Sequence, residues 1–183
     1  MKRVRAMDRA RNMLANVSGN LSRPHIAYFD DSAKKLKWAY RDDPGWMIEE
    51  VADMSDTNGF TSIAVDSDNN PHILFSGGTN CYAYRELGVW YMDKPIQTTG
   101  GGSLGLDDDD VPHIAFNRMG EFMVYATLED GEWVETDLQE LDRNEKAGVA
   151  TDIVLDHDGN PHISYINTTT KMYRHAWYEP EPQ

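Results

Sequence analysis

Four histidines are the strongest candidates for a chemical role in this sequence, because each occupies the same place in a recurring Pro-His-Ile triplet. Neutral imidazole is a common ligand of transition metals, so a ring of equivalent histidines could hold a metal ion. Alternatively, each histidine ties its own hairpin to a neighbouring sheet through a hydrogen bond, and this structural interpretation is the favoured one. The four are His25, His72, His113 and His162, which are 47, 41 and 49 residues apart.

Acidic runs precede three of these histidines. Asp66–Asn70 and Asp156–Asn160 read Asp-x-Asp-x-Asn, like the start of an EF-hand calcium loop. The EF-hand interpretation fails, because position 6 needs glycine and is Pro71 or Pro161 here. Hairpin turns capped by the Asp side chains are predicted instead. No cofactor is predicted, although Asp107–Asp110 leaves open a cation held by charge density.

Aromatic residues also recur, at two positions of the repeat. One interpretation is a set of carbohydrate-stacking platforms, and the other is packing between sheets, which is favoured for aromatics on strands. The first set is Trp46, Trp90 and Trp133, and the second is Trp38, Tyr82, Tyr125 and His175.

The residues around Pro-His-Ile predict four strands in every repeat. An alternating run such as Ser62–Asp66 predicts the first strand, and turn residues follow it. Pro-His-Ile opens the second strand, where a first-position proline is tolerated. An aromatic-Ala pair such as Tyr82-Ala83 marks the third strand, and Trp90 marks the fourth. Four antiparallel strands in about 41–49 residues are the blade of a β-propeller.

The predicted fold is therefore an all-β propeller of four blades, formed by residues 1–183 as a single domain. The blades correspond to residues of about 9–52, 53–95, 96–138 and 139–178. The last unit lacks its fourth strand, and residues 2–8 are predicted to supply it. A short helix over residues 6–17 is the competing interpretation of this segment. An eight-blade ring, a homodimer formed by exchange of ends, is the alternative to the favoured monomer.

The repeats resemble those of bacterial β-propeller proteins. Such repeats read approximately Ser-Leu-Ala-Leu-Asp, Gly-Asn-Pro-His-Ile, Leu-Lys-Tyr-Ala and Gly-Trp, and the resemblance covers residues of about 13–178. It implies the propeller fold, but no single function, because propellers include lectins, hydrolases and scaffolds.

Charge narrows the range of partners. The net charge is −14, and residues 1–23 carry +5, so the remainder carries −19. This acidic body disfavours nucleic acid and anionic membranes. The sequence has no run of 18 apolar residues, no apolar stretch like that of a signal peptide, and one cysteine. A cytoplasmic location is expected, although the proteins that the chain resembles are often exported.

The predicted function is a non-enzymatic binding module for a small polar, glycan-like ligand or a protein partner. No catalytic motif supports an enzyme, and a glycoside hydrolase acting through axial carboxylates is the alternative. Function is expected in loops where the repeats differ. The predicted ligand-binding residues are Arg118 and Arg143, the two cations without a repeated counterpart, together with Asp30, Asn80 and Asn167.

Overall fold

The computed structural model describes residues 10–17, 23–54, 59–76, 80–96, 101–118, 122–137 and 151–177. Within these ranges the chain forms fifteen β-strands joined by turns, so the all-β prediction is confirmed. No helix long and hydrophobic enough to cross a bilayer occurs in these ranges.

The strands form four separate antiparallel sheets, each made of consecutive strands. Sheet 1 contains β1 (Ala10–Val17), β2 (Pro24–Asp30), β3 (Lys35–Asp42) and β4 (Gly45–Asp53). Sheet 2 contains β5 (Thr61–Val65), β6 (Pro71–Ser76), β7 (Asn80–Glu86) and β8 (Val89–Ile96). Sheet 3 contains β9 (Gly102–Leu106), β10 (Pro112–Arg118), β11 (Phe122–Glu129) and β12 (Glu132–Asp137). Sheet 4 contains β13 (Asp152–Leu155), β14 (Pro161–Asn167) and β15 (Met172–Trp177).

The first hairpin of every sheet has the same register at its proline. The proline opens the second strand opposite the last residue of the first strand, as Pro71 lies opposite Val65. A proline at this position has no N–H to contribute to the ladder, which explains its recurrence. The equivalent pairs are Val17 with Pro24, Leu106 with Pro112 and Leu155 with Pro161. The first hairpin connection is therefore one residue longer than the other three.

Each sheet has two faces, which alternate along the strands. We call the one that carries the histidine of Pro-His-Ile the histidine face, and the opposite one the isoleucine face. The chain divides into two compact units, Met1–Asp93 and Lys94–Gln183. In the first unit, Ala27, Phe29 and Trp38 on the histidine face of sheet 1 pack against Ile63 and Ile73 on the isoleucine face of sheet 2.

The second unit repeats this arrangement. Ala115 and Tyr125 on the histidine face of sheet 3 pack against Ile153, Ile163 and Ala176 on the isoleucine face of sheet 4. A buried Ile or Val side chain stabilises such a core by about 1.5–3 kcal/mol. The alternation predicted from the sequence thus determines which side of each sheet is available to its neighbour.

The predictions for the N-terminal segment have two outcomes. The helix proposed for residues 6–17 is wrong over Ala10–Val17, where β1 pairs with β2 instead. The strand predicted for residues 2–8 lies outside the described residues. Sheet 4 contains three strands in the described part of the chain.

Candidate functional site

A chain of three polar groups crosses sheets 2 and 3 at their histidines. In sheet 2, His72 Nδ1 lies 2.5 Å from the Tyr82 hydroxyl, and His72 Nε2 lies 3.5 Å from Asp66 Oδ2. In sheet 3, the corresponding distances from His113 to Tyr125 and Asp107 are 2.5 and 3.2 Å. A carboxylate only accepts, so Nε2 carries the ring proton and the tyrosine hydroxyl donates to Nδ1.

Sheets 1 and 4 place a different donor at the histidine Nδ1, and of these two only sheet 4 keeps a carboxylate near Nε2 among the described residues. Trp38 Nε1 donates to His25 Nδ1 over 3.3 Å. In sheet 4, His162 Nδ1 lies 3.1 Å from His175 Nε2, and His162 Nε2 lies 3.5 Å from Asp156 Oδ2. All four histidines therefore bond within their own sheets. The predicted hydrogen bond to a neighbouring sheet is wrong, because the residue in reach lies diagonally opposite on the next strand.

The acidic runs form the predicted capped turns. Asp156 Oδ1 accepts from the backbone N–H of Asn160 over 2.9 Å, and Oδ2 accepts from its side-chain amide over 3.1 Å. These bonds, the backbone one foremost, lower the pKa of Asp156 to about 2. Asp66 and Asn70 make the same pair of contacts.

The cation site near Asp107–Asp110 remains a prediction. Asp107 Oδ1 accepts from the backbone N–H groups of Asp109 and Val111, so this carboxylate closes its own turn. Ligand atoms of Asp156, His157 and Asp158 lie within 4.8 Å of one another, but all three belong to the next exposed hairpin turn. Exposed acidic turns of this kind are not by themselves evidence of a metal site.

The histidine face is buried in the first three sheets and exposed in sheet 4. Ala27, Leu74 and Ala115 occupy its centre in sheets 1, 2 and 3 and are at most 1% exposed. In sheet 4, Val154 is 61% exposed and Trp177 54% exposed. The face of sheet 4 is thus the one histidine face, among the described sheets, that a ligand can reach.

The residues on the histidine face of sheet 4 are more polar than their equivalents in sheets 2 and 3. A row across sheet 2 reads Ser62, Leu74, Tyr82, and the equivalent row across sheet 3 reads Ser103, Ala115, Tyr125. In sheet 4 the row is Asp152, Ser164, His175, with these side chains directly opposite one another across three strands. Polar side chains replace the apolar centre where the face meets solvent, and the row spans about 10 Å.

A cavity of about 330 Å³ lies over this row. It is lined by Asp152, Val154, His162, Ser164 and His175. Trp177 contacts one residue of this lining, because its ring stacks on that of His175 with centroids 5.4 Å apart. Four of the five lining residues are polar, so the cavity offers several hydrogen-bonding groups close to an exposed aromatic ring.

One charged group faces the cavity. Asp152 Oδ1 accepts from Ser103 Oγ over 3.0 Å and from the backbone N–H of Ile153 over 3.1 Å. These bonds fix the carboxylate, while Oδ2 has no partner among the described residues. Among the residues that the structure describes, the lining includes no lysine or arginine. The site therefore offers hydrogen-bond acceptors and a negative charge, a combination that suits a ligand with donors and repels an anion.

Two of the predicted ligand-binding residues serve their own turns. Asp30 Oδ1 accepts from the backbone N–H groups of Ser32 and Ala33, and Asp30 Oδ2 lies 2.8 Å from Lys37 Nζ. The Lys37 bond is the main reason that the pKa of Asp30 lies well below its usual range. Asn167 is fully buried, and its Oδ1 accepts from the backbone of Thr169 and Thr170. Both side chains therefore stabilise the backbone of the turns in which they lie.

The other three predicted residues are dispersed. Arg118 pairs with Glu135 and lies over the Phe116 ring, with its guanidinium carbon 5.8 Å from the centroid. Asn80 is the first residue of β7. Arg143 lies outside the described residues. Asp30, Arg118 and Asn167 do not line the cavity of sheet 4, and the role of all five residues in ligand binding remains a prediction.

A second cavity, of about 290 Å³, lies in the first unit. Arg23, Pro24, Arg41, Asp42 and Asp43 line it. Arg23 Nη2 lies 3.4 Å from Asp42 Oδ1, so cations and anions of this lining neutralise one another. The cavity lacks an aromatic platform and is the weaker candidate.

Trp90 shows the packing between sheets that was favoured for the tryptophans of the fourth strands, whereas Trp46 packs within its own sheet. Trp90 packs against the core of the first unit, and its Nε1 donates to Glu49 Oε2 over 3.3 Å. Trp46 packs against Ile26 and Tyr28. The exposed Trp177 differs from both, because its ring contacts His175, which lines the sheet 4 cavity.

Comparison with solved structures supports the fold class. AofleA from Arthrobotrys oligospora, as an arginine triple mutant, matches 94% of this chain and 54% of its own length, with TM-score 0.64 and 10% identity. The Ruminococcus gnavus intramolecular trans-sialidase bound to oseltamivir carboxylate matches 94% and 43%, with TM-score 0.56 and 10% identity. The leech intramolecular trans-sialidase with 2,7-anhydro-Neu5Ac matches 93% and 32%, with TM-score 0.56 and 13% identity.

These likenesses show a shared all-β architecture. The chain spans about half or less of the length of each of these structures. No protein-family model and no curated protein matches the sequence.

Proposed function

We propose that the chain is a non-enzymatic binding module for a small, sugar-like ligand, which it holds on the histidine face of sheet 4. The observation that carries this proposal is the row of Asp152, Ser164 and His175 beneath a cavity of about 330 Å³. The hydroxyl groups of a sugar would hydrogen-bond to this row. The C–H face of the sugar would cover apolar surface on Trp177.

Binding is favoured over glycoside hydrolysis by the number of carboxylates. Hydrolysis needs two carboxyl groups about 5–9 Å apart across the scissile bond. Asp152 is the one carboxylate in the described lining of the cavity. The names of two structural neighbours identify them as trans-sialidases, which supports a carbohydrate ligand but transfers no activity to this chain.

The finer fold prediction is an alternative for this face, because a closed ring would cover the histidine face of sheet 4, as packing covers the other three, and would bring the basic segment of residues 2–8 beside it. The four sheets would be blades of one propeller, with residues 2–8 as the fourth strand of sheet 4. The order of that sheet, β13-β14-β15, places β15 at an edge where such a strand would pair. Closure within a monomer is preferred to a dimer formed by exchange of ends. An acidic body of charge −19 opposes association of two copies.

The binding proposal is tested by NMR titration of the ¹⁵N-labelled protein with methyl glycosides, alongside Trp177→Ala. Peak shifts confined to β13–β15 are expected, and binding by Trp177→Ala should be about tenfold weaker because the stacking surface is lost. Tyr91→Ala is the matched control, since Tyr91 is an exposed aromatic residue on sheet 2. Equal losses in both variants, or no shifts with any glycoside, would contradict the proposal.

The hydrolase alternative needs a separate assay. Nitrophenyl glycosides incubated with the protein should release no nitrophenol above the buffer rate. Release that disappears in Asp152→Asn would establish the enzyme instead.

A further inference from the structure

In sheet 4 the side chains of Asp156, His162 and His175 follow one another in a row of polar contacts. Comparison with the other sheets gives the direction of the hydrogen bond between the two histidines. In sheet 1 the atom that bonds His25 Nδ1 is Trp38 Nε1, which can only donate. In sheet 2 burial raises the pKa of Tyr82 far above its usual range, so its hydroxyl keeps a proton to donate, and the carboxylate of Asp66, 3.5 Å from His72 Nε2, favours the acceptor role for His72 Nδ1. In sheets 1 to 3 the histidine of Pro-His-Ile thus accepts at Nδ1 from the third strand.

His175 occupies the place of these donors in sheet 4. The distance of 3.1 Å and an angle of 10° between the rings describe an edge-to-edge bond between two imidazoles. His162 Nε2 faces Asp156 Oδ2 at 3.5 Å, and a hydrogen bond from His162 is, after those from Asn160, among the causes that lower the pKa of Asp156. Both observations favour a His162 ring proton on Nε2 and an acceptor at Nδ1. His175 then donates through Nε2.

A neutral imidazole carries one ring proton, so this bond determines the chemistry of the other nitrogen. With its proton on Nε2, His175 has a lone pair on Nδ1. That atom has no hydrogen-bond partner among the described residues. Tyrosine at this place, as in sheets 2 and 3, has no equivalent acceptor on its ring. The change from tyrosine to histidine thus adds an acceptor without losing the internal donor.

Building on the proposed binding function, we infer that His175 is held as the Nε2-protonated tautomer and offers Nδ1 as an acceptor in the cavity. Together with the Asp152 carboxylate, this makes the site selective for a neutral, hydroxyl-rich ligand. An acidic sugar would bring its carboxylate to two acceptors with no cation in the described lining to compensate.

The tautomer is tested without any ligand. Long-range ¹H–¹⁵N NMR spectra of the histidine rings at pH 8, assigned with the variants His175→Tyr and His162→Gln, report which nitrogen carries the proton. We expect His175 to be protonated at Nε2 and bare at Nδ1. Protonation at Nδ1 would overturn the inference and leave the proposed binding function standing.

Selectivity is tested with matched probes, methyl glucoside and methyl galactoside against the corresponding methyl glucuronide and methyl galacturonide. The neutral glycosides should bind at least about tenfold more tightly than the uronides. Equal or tighter binding of a uronide would overturn the ligand class. If neither kind binds, the proposed function fails, and the ring spectra still decide the tautomer.

The variant His175→Tyr separates positioning from binding. Tyrosine keeps a donor for His162, as Tyr82 does for His72. Thermal stability should therefore be retained, while binding of a neutral glycoside weakens about tenfold through loss of the acceptor. Unchanged binding in a folded His175→Tyr protein would overturn the role of Nδ1.

Discussion

The guanidinium of Arg85 holds the carboxylate of Glu49 at two points, with Nε 3.0 Å from Oε2 and Nη2 3.1 Å from Oε1. This fork joins the third strand of sheet 2 to the fourth strand of sheet 1. The guanidinium carbon also lies 5.5 Å from the centroid of Trp38. Arg85 thus links the two sheets of the first unit.

Replacement of Arg85 by lysine should destabilise the protein by about 1 kcal/mol, because lysine keeps the charge but loses the two-point geometry. Arg41→Lys, at the equivalent but exposed position of sheet 1, is the control and should have little effect. Urea denaturation of both variants measures the difference. Equal free energies of unfolding would show that the fork contributes no more than a surface charge.

Gly59 should be intolerant of any side chain. A Cβ atom there would lie 1.8 Å from the carbonyl oxygen of Ser76, a backbone atom that cannot rotate away. Gly59→Ala should therefore cost about 1–3 kcal/mol and lower Tm by several degrees. Gly101→Ala is the control, since its Cβ would meet nothing within 4 Å. Calorimetric melting of the two variants is the measurement, and matching Tm values would refute the close approach.

The free energy of unfolding should rise with pH over the range in which His25 loses its proton. Burial, together with the charge of Arg23, lowers the pKa of His25 from 6.5. The unfolded chain then binds the proton more readily than the folded one. The contribution of neutral His25 to the free energy of unfolding is present in full above pH 6.5. It is lost as the pH falls through the pKa that His25 has in the folded protein. Unfolding free energies measured from pH 7.5 to 5 should therefore decrease.

His25→Asn should flatten this pH profile, because its side chain does not titrate. His157→Asn should leave the profile unchanged, since its side chain is exposed. A profile as steep in His25→Asn as in the original protein would place the titrating group elsewhere.

Deletion of residues 1–8 should lower Tm and promote self-association if this segment completes sheet 4. The deletion would expose the edge of β15, where Tyr173 is 83% exposed, and unpaired edges invite aggregation. Removal of residues 180–183 should matter much less. Melting curves combined with light scattering test both truncations, and a monomer of unchanged Tm after the first deletion would refute the closure.

The strands could be read from the sequence, because the repeated pattern requires the same local structure four times. Proline at a strand start, alternating apolar residues and Asp-Asn turns act over a few residues, and the register of Pro71 and its equivalents agrees with them. The N-terminal segment was harder. Good helix formers occur in residues 10–17, yet pairing with β2 determines their conformation as a strand.

The candidate site could not be read in the same way. Asp152 and His175 are visibly different from their equivalents in the other repeats, but their alignment with Ser164 is a matter of cross-strand register. The exposure of this face is a property of tertiary packing. Asp30 and Asn167 were attractive as polar loop residues, whereas the structure uses both to cap turns. Polar residues at turns do not reveal from sequence whether their partner is the backbone or a ligand.

The common register of the four Pro-His-Ile hairpins has a consequence for the evolution of the gene. Recombination between two copies of the triplet would join the first strand of one repeat to the second strand of another, with the proline pairing intact. Such an unequal crossover would add or remove whole four-strand units without changing the pairing register of the first and second strands. The number of repeats can thus change by duplication or loss while every surviving hairpin still folds.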